Sequence, residues 1–153
     1  MTKAAGLRRM LLPLAVAIFW WGTGQADQIA SPHVESDRAL RIGLAITGGQ
    51  PLHCRLIFGH WVERDLGLIA PGASVDIDVS QAKDGALYIM RDDGQRRMMI
   101  ETIFCGDDGQ WMASYGQVDF APARSRRPGQ IEASCAAPAA GGRVACQPVR
   151  LGD

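Results

Sequence analysis

From Leu40 onward the chain is written in short runs of alternating apolar residues, each cut by a turn signal. Leu40, Ile42, Leu44 and Ile46 alternate with Arg41, Gly43, Ala45 and Thr47 before Gly48-Gly49-Gln50-Pro51 interrupts them. A period of two is the mark of a strand with one face in a core, because successive side chains point to opposite sides. The next run, Leu52–Trp61, repeats the pattern with Leu52, Cys54, Leu56 and Phe58 on one face and His53, Arg55 and Ile57 on the other. A helix over 54–66 is the competing reading, and Gly59 with its aromatic and β-branched neighbours weighs against it.

Further along, strands are expected at Leu66–Ala70 and Ser74–Ser80, joined by Ala70-Pro71-Gly72-Ala73. Proline followed by glycine favours a type II turn: Pro presets φ, and Gly accepts the positive φ that follows. Asp92-Asp93-Gly94-Gln95 recurs fifteen positions later as Asp107-Asp108-Gly109-Gln110. Each Asp-Gly reads as a tight hairpin centre, so Leu87–Arg91, Arg97–Cys105 and Trp111–Phe120 form an expected three-stranded meander. Its middle strand is apolar on both faces apart from Glu101 and Thr102, which suits a central position. Ala121–Gly129, APARSRRPG, reads as an exposed linker, and Gln130–Ala136 with Arg143–Val149 as a last hairpin. Regular short strands without a helical period imply an all-β domain. The expectation is a small disulfide-stabilised β-sandwich, immunoglobulin-like or barrel-like, of eight or nine short strands. Trp61 follows Cys54 too closely for the Cys…Trp…Cys spacing of true immunoglobulin domains.

The N-terminus has a different character. Lys3, Arg8 and Arg9 precede an apolar run, Met10–Trp21, and Gly24-Gln25-Ala26 supplies small residues at a cleavage point. Residues 1–26 read as a cleaved secretory signal, too short to span a bilayer, with an uncleaved anchor as the alternative. Residues 27–38 then form a flexible lead-in, and 39–153 a single β domain. Three of the sixteen bases leave with the signal, so thirteen face sixteen acids, a formal −3 that disfavours nucleic-acid binding. No membrane span is expected after cleavage, and the address is periplasmic or secreted.

Export also explains the cysteines. Cys54, Cys105, Cys135 and Cys146 are even in number in an oxidising compartment, which implies two disulfides. Three pairings are possible; Cys54–Cys105 with Cys135–Cys146 is preferred because the second pair flanks the turn Ala-Ala-Pro-Ala-Ala-Gly-Gly. A structural zinc site lacks both a CxxC pair and a histidine near Cys135 or Cys146.

Catalytic constellations are hard to assemble. Ser74 lacks the second glycine of a nucleophile elbow, paired cysteines supply no thiolate, and the one mature lysine, Lys83, lies in a polar turn. The paired Asp-Gly turns have the wrong spacing for a calcium loop. The methionines, Met90, Met98, Met99 and Met112, read as core filling. The expected function is therefore a non-enzymatic exported binding or accessory module without cofactor or resident metal, recognising an envelope protein or a glycan. Its candidate surface is Arg55, His60, Trp61, Glu63 and Arg64. The alternative is a copper- or zinc-dependent periplasmic protein using His60 with nearby carboxylates or methionines. Separately, His60 with Glu63 or Asp65, on the turn after the strand, is the residual candidate for proton transfer.

Overall fold

The computed structural model describes residues 37–90, 94, 96–138 and 141–153. The expected signal (1–26), the lead-in up to residue 36, and the first Asp-Gly turn apart from Gly94 lie outside the described residues. The chain is all-β. Its strands are β1 (Arg38–Ile46), β2 (Leu52–Phe58), β3 (Glu63–Ile69), β4 (Ser74–Gln81), β5 (Leu87–Met90), β6 (Arg97–Gly106), β7 (Gly116–Gln117), β8 (Gln130–Ala136) and β9 (Ala145–Gly152). They join in the order β3-β2-β6-β5-β4-β1-β8-β9, with β7 added to β6. All described pairings are antiparallel except β1 with β8.

The alternation forecasts the core. Leu40, Ile42, Leu44 and Ile46 on β1 pack with Leu52, Cys54, Leu56 and Phe58 on β2, all buried. The turn before β4 forms as expected: Gly72 has φ +77°, and the Ala73 N–H donates to Ala70 O at 3.0 Å. Both disulfides also pair as expected, Cys54 with Cys105 and Cys135 with Cys146. Each joins residues directly opposite on antiparallel neighbours, β2 with β6 and β8 with β9. Their Cα separations of 4.1 and 4.0 Å match the closer, non-hydrogen-bonded type of cross-strand pair.

Strand β6 holds the arrangement together. Met98 and Met99 pair with β5, while Phe104 and Cys105 pair with β7, and β2 runs along the other side. A register shift opposite Ile57 and Phe58 leaves Glu101 as an extra residue, so Ile100 and Ile103 both enter the core despite their odd spacing. Arg124 covers this irregularity, its Nη2 donating to Ile100 O and Glu101 O, both at 2.9 Å.

Three expectations are corrected. Of the four methionines read as core filling, Met90, Met99 and Met112 are exposed, and Met98 alone packs against the core. Trp111–Phe120 is not a strand: Trp111–Ser114 is a single helical turn (α1), and only Gly116–Gln117 extends as β7. The reason is the side chain of Asp107, which accepts from the Gly109 N–H at 2.8 Å and winds Asp108–Gln110 into a 3-10 turn. The Ser114 hydroxyl accepts from the Asp107 N–H, also at 2.8 Å, and closes the turn on itself. Likewise 121–129 is not simply an exposed linker. Ala121–Arg124 forms a second helical turn (α2), Ala123 is fully buried, and Gln81 Nε2 donates to Ala123 O and Arg126 O at 2.9 and 3.0 Å.

Both ends of the strand order are blunted. Edge strand β3 carries Glu63, Arg64 and Asp65 and a register shift that leaves Leu66 unmatched; edge strand β9 carries Pro148. Charge, irregularity and proline each discourage edge-to-edge association.

Candidate functional site

The outward face of β2 presents His53, Arg55 and Ile57, because their neighbours Leu52, Cys54 and Leu56 are fully buried. The second half of β6 adds Phe104, and α1 brings Trp111, Met112 and Tyr115 over the same region. Together Ile57, Trp61, Glu63, Phe104, Trp111 and Tyr115 line an open cleft of about 220 Å³, with Met112 at its margin. Trp111 and Tyr115, one helical turn apart, lie nearly parallel, with centroids 6.4 Å apart and planes at 24°. Tyr115 meets Phe104 edge to face at 5.2 Å. The Arg55 guanidinium sits 4.4 Å above the Trp111 ring and reaches Glu63 at 3.4 Å, while Arg143 lies 5.6 Å from the Tyr115 ring.

Trp61 enters this cleft from the β2–β3 connection, and its backbone explains how. His60 and Trp61 have φ of +65° and +60°, two consecutive non-glycine residues in the left-handed region. Histidine tolerates that region better than most residues, but a bulky side chain there is an outlier that costs about 1–3 kcal/mol. The turn holds because the Phe58 N–H donates to Val62 O at 2.8 Å between two paired strands. Trp61 is consequently thrown outward, 78% exposed. Met112, at 79%, stands equally open.

Beside the cleft lies a compact polar group. His53 Nε2 is 2.6 Å from Asp65 Oδ1 on β3, and Nδ1 is 2.8 Å from Asp108 Oδ1 on the 3-10 turn. The Trp111 ring stands edge-on to the imidazole at 6.2 Å. The hydrogen bond to Asp65, with that to Asp108 after it, raises the His53 pKa above its ordinary 6.5, and desolvation opposes them in part. Asp65 is lowered from 3.8, first by the Gly67 N–H that donates to it at 2.8 Å and then by His53.

Of the five residues singled out in the sequence, the fold gathers three. Trp61 and Glu63 line the cleft, and Arg55 bridges Glu63 to Trp111. Arg64 turns away, its guanidinium 5.7 Å from the Phe58 ring. His60 opens onto a different hollow with Tyr88, Arg96, Arg97 and Met99. The carboxylates considered as its partners are engaged elsewhere, Glu63 by Arg55 and Asp65 by His53.

No family model matches the chain, and no curated protein matches it. Among solved structures, one described as the NMR structure of a protein from Eubacterium rectale is similar. It is 9% identical, with 74% of this chain and 93% of the other covered, at a TM-score of 0.43.

Sequence reasoning missed Ile57, Phe104, Trp111, Met112 and Tyr115 as cleft residues, and it missed the pairing of His53 with two aspartates. Only local signals were available: strand alternation placed His53 and Arg55 on one face, and nothing local announces that residue 108 returns to them. Among the described residues, no group of three or more His, Cys, Asp or Glu side chains is placed to hold a metal ion. Both imidazole nitrogens of His53 are turned to carboxylates, Asp65 and Asp108.

Proposed function

We propose that this chain is an exported, non-enzymatic binding module of the periplasm or extracellular space, and that the cleft around Trp61, Trp111 and Tyr115 is its recognition surface for a polypeptide partner. The observation that carries the reading is Trp61, held outward in a strained turn with 78% of its surface exposed beside packed aromatics. A backbone cost spent on exposing tryptophan has no return within the fold, so it points to a contact made with something else. The composition supports a protein partner: Trp, Tyr and Arg dominate binding hot spots, with Met enriched and Lys depleted at interfaces. Two bridges suit a small domain in an oxidising compartment. Residues 1–26 supply the export signal in this reading.

The test compares the tagged mature chain with Trp61→Ala in capture from periplasmic extract, with glycan and peptidoglycan fractions run alongside. A protein retained by the parent and lost with the variant supports the proposal. Retention of both alike, or binding confined to the glycan fractions, overturns it. The metal reading has one feature in its favour, His60 in a common hollow with Met98 and Met99. Against it, Arg96 and Arg97 line the same hollow. Metal analysis of chelator-free protein and of His60→Ala decides it.

A further inference from the structure

At His53 three separate elements meet through titratable groups. It stands on β2 with its side chain 17% exposed, between Asp65 from β3 and Asp108 from the turn that leads into α1. Its partners across β2, Leu68 on β3 and Gly106 on β6, carry no charge. From α1 it faces Trp111, which does not titrate. Arg55, two places along β2, acts on Asp65 and is held by Glu63.

The proton count follows from geometry. A carboxylate oxygen accepts and does not donate, so each of the two short contacts requires an N–H on the ring. Only the imidazolium carries both. Neutral imidazole turns a lone pair toward one aspartate, and that contact must then open. The two sides are not equally anchored. Asp65 belongs to a paired strand and also accepts from Gly67 N–H, whereas Asp108 sits in a three-residue turn with its side chain 69% exposed. The Asp108 side yields first.

We propose that His53 is a proton-operated clasp: protonated, it pins the Asp108–Trp111 turn to β2 and sets Trp111 against Tyr115 in the cleft; neutral, it releases that turn, while Ser114 stays anchored by the Val144 and Asp107 N–H groups. The raised pKa of His53 places release above pH 6.5, so acidification closes the clasp and alkaline conditions loosen it. The device rests on the recognition reading only for its purpose. Its operation needs no partner and is measured without one.

The experiment is an NMR titration of the mature chain with both bridges intact, following the His53 imidazole and the Trp111 indole N–H between pH 5 and 9. His53 is expected to titrate above 6.5, and the Trp111 resonance to move with the same midpoint. Asp108→Asn, on an exposed side chain, is expected to lower the His53 midpoint and to abolish the shared transition at Trp111. His53→Gln should hold Trp111 at its high-pH position throughout. A Trp111 signal indifferent to the His53 midpoint, or a midpoint unmoved by Asp108→Asn, overturns the clasp. Failure of partner capture with the titration intact would overturn the recognition reading instead and leave the clasp standing.

Discussion

Replacing the two bridges separately tests how this fold is stabilised. Cys54–Cys105 closes a loop of 51 residues and Cys135–Cys146 one of 11. Loop-closure entropy then assigns about 4 kcal/mol to the first and about 3 kcal/mol to the second. The surroundings widen the gap. Cys54 and Cys105 are both fully buried, whereas Cys146 is only partly so. Exchanging both buried cysteines for alanine removes packed sulfur atoms and adds about 1 kcal/mol. Cys54→Ala/Cys105→Ala should therefore cost about 5 kcal/mol and Cys135→Ala/Cys146→Ala about 3 kcal/mol, against a typical domain stability of about 5–15 kcal/mol. Urea unfolding followed by tryptophan fluorescence measures both, with the m-values checked for two-state behaviour. An equal or larger loss for the Cys135–Cys146 pair would refute the reasoning, since it would mean that the β8–β9 hairpin, not the β2–β6 junction, limits stability.

Other positions give sharper local tests. A Cβ at Gly116 would fall 2.1 Å from Val144 O, so Gly116→Ala should destabilise by about 1–3 kcal/mol in the same assay. Gln81, 3% exposed, donates to backbone carbonyls of the α2 region; Gln81→Leu removes this donor from Arg126 O and leaves Ala123 O only its longer bond from the Arg126 N–H, and should cost about 1–3 kcal/mol. Trp61→Gly relieves a left-handed tryptophan with little packing to lose, and should leave thermal stability equal or raised by up to about 1 kcal/mol while abolishing partner capture. The pH dependence has two limbs of known sign. The raised His53 pKa contributes stability that is complete below 6.5 and lost as pH rises through the folded value. The lowered Asp65 pKa contributes stability present above 3.8 and lost as pH falls through its folded value. Melting temperature should thus decline on the alkaline side, and His53→Gln should flatten that decline.

The strands were legible where burial is one-sided. On β1 and the first part of β2 every second residue is apolar and buried, so period and face can be read directly, and Cys54 falls on the inward face with its bridge; the boundaries were less legible, since β1 begins at Arg38, two residues before its apolar alternation, and β2 ends at Phe58. The stretch after β6 was not legible, because one side chain decides it. Asp-Gly at 107–109 has the composition of a hairpin turn, but the Asp107 carboxylate takes the Gly109 N–H and starts a helical turn. Asp-Gly specifies a change of direction and leaves open which backbone donor the aspartate captures. The parallel β1–β8 pairing was equally hidden, since its two strands are separated by most of the domain.

The site follows the same division. His53 and Arg55 share an outward face because Cys54 between them is turned inward, so the bridge to Cys105 and the polar face of β2 are consequences of one alternation. Their partners arrive from Glu63, Asp65, Asp108 and Trp111, and the last two depend on the turn at Asp107 that the sequence disguises as a hairpin. The helical turn changes the chemistry available there. In a strand, Trp111 and Tyr115 would share a face about 13 Å apart, too far to stack. Wound into a turn, they lie side by side at 6.4 Å, with Asp108 at the head of the segment within reach of His53. One hydrogen bond from Gly109 to Asp107 thereby supplies both the paired rings of the cleft and the carboxylate that ties them to a titrating side chain. Asp107→Ala should accordingly disturb the cleft and the His53 titration together, whereas two unrelated features would respond separately.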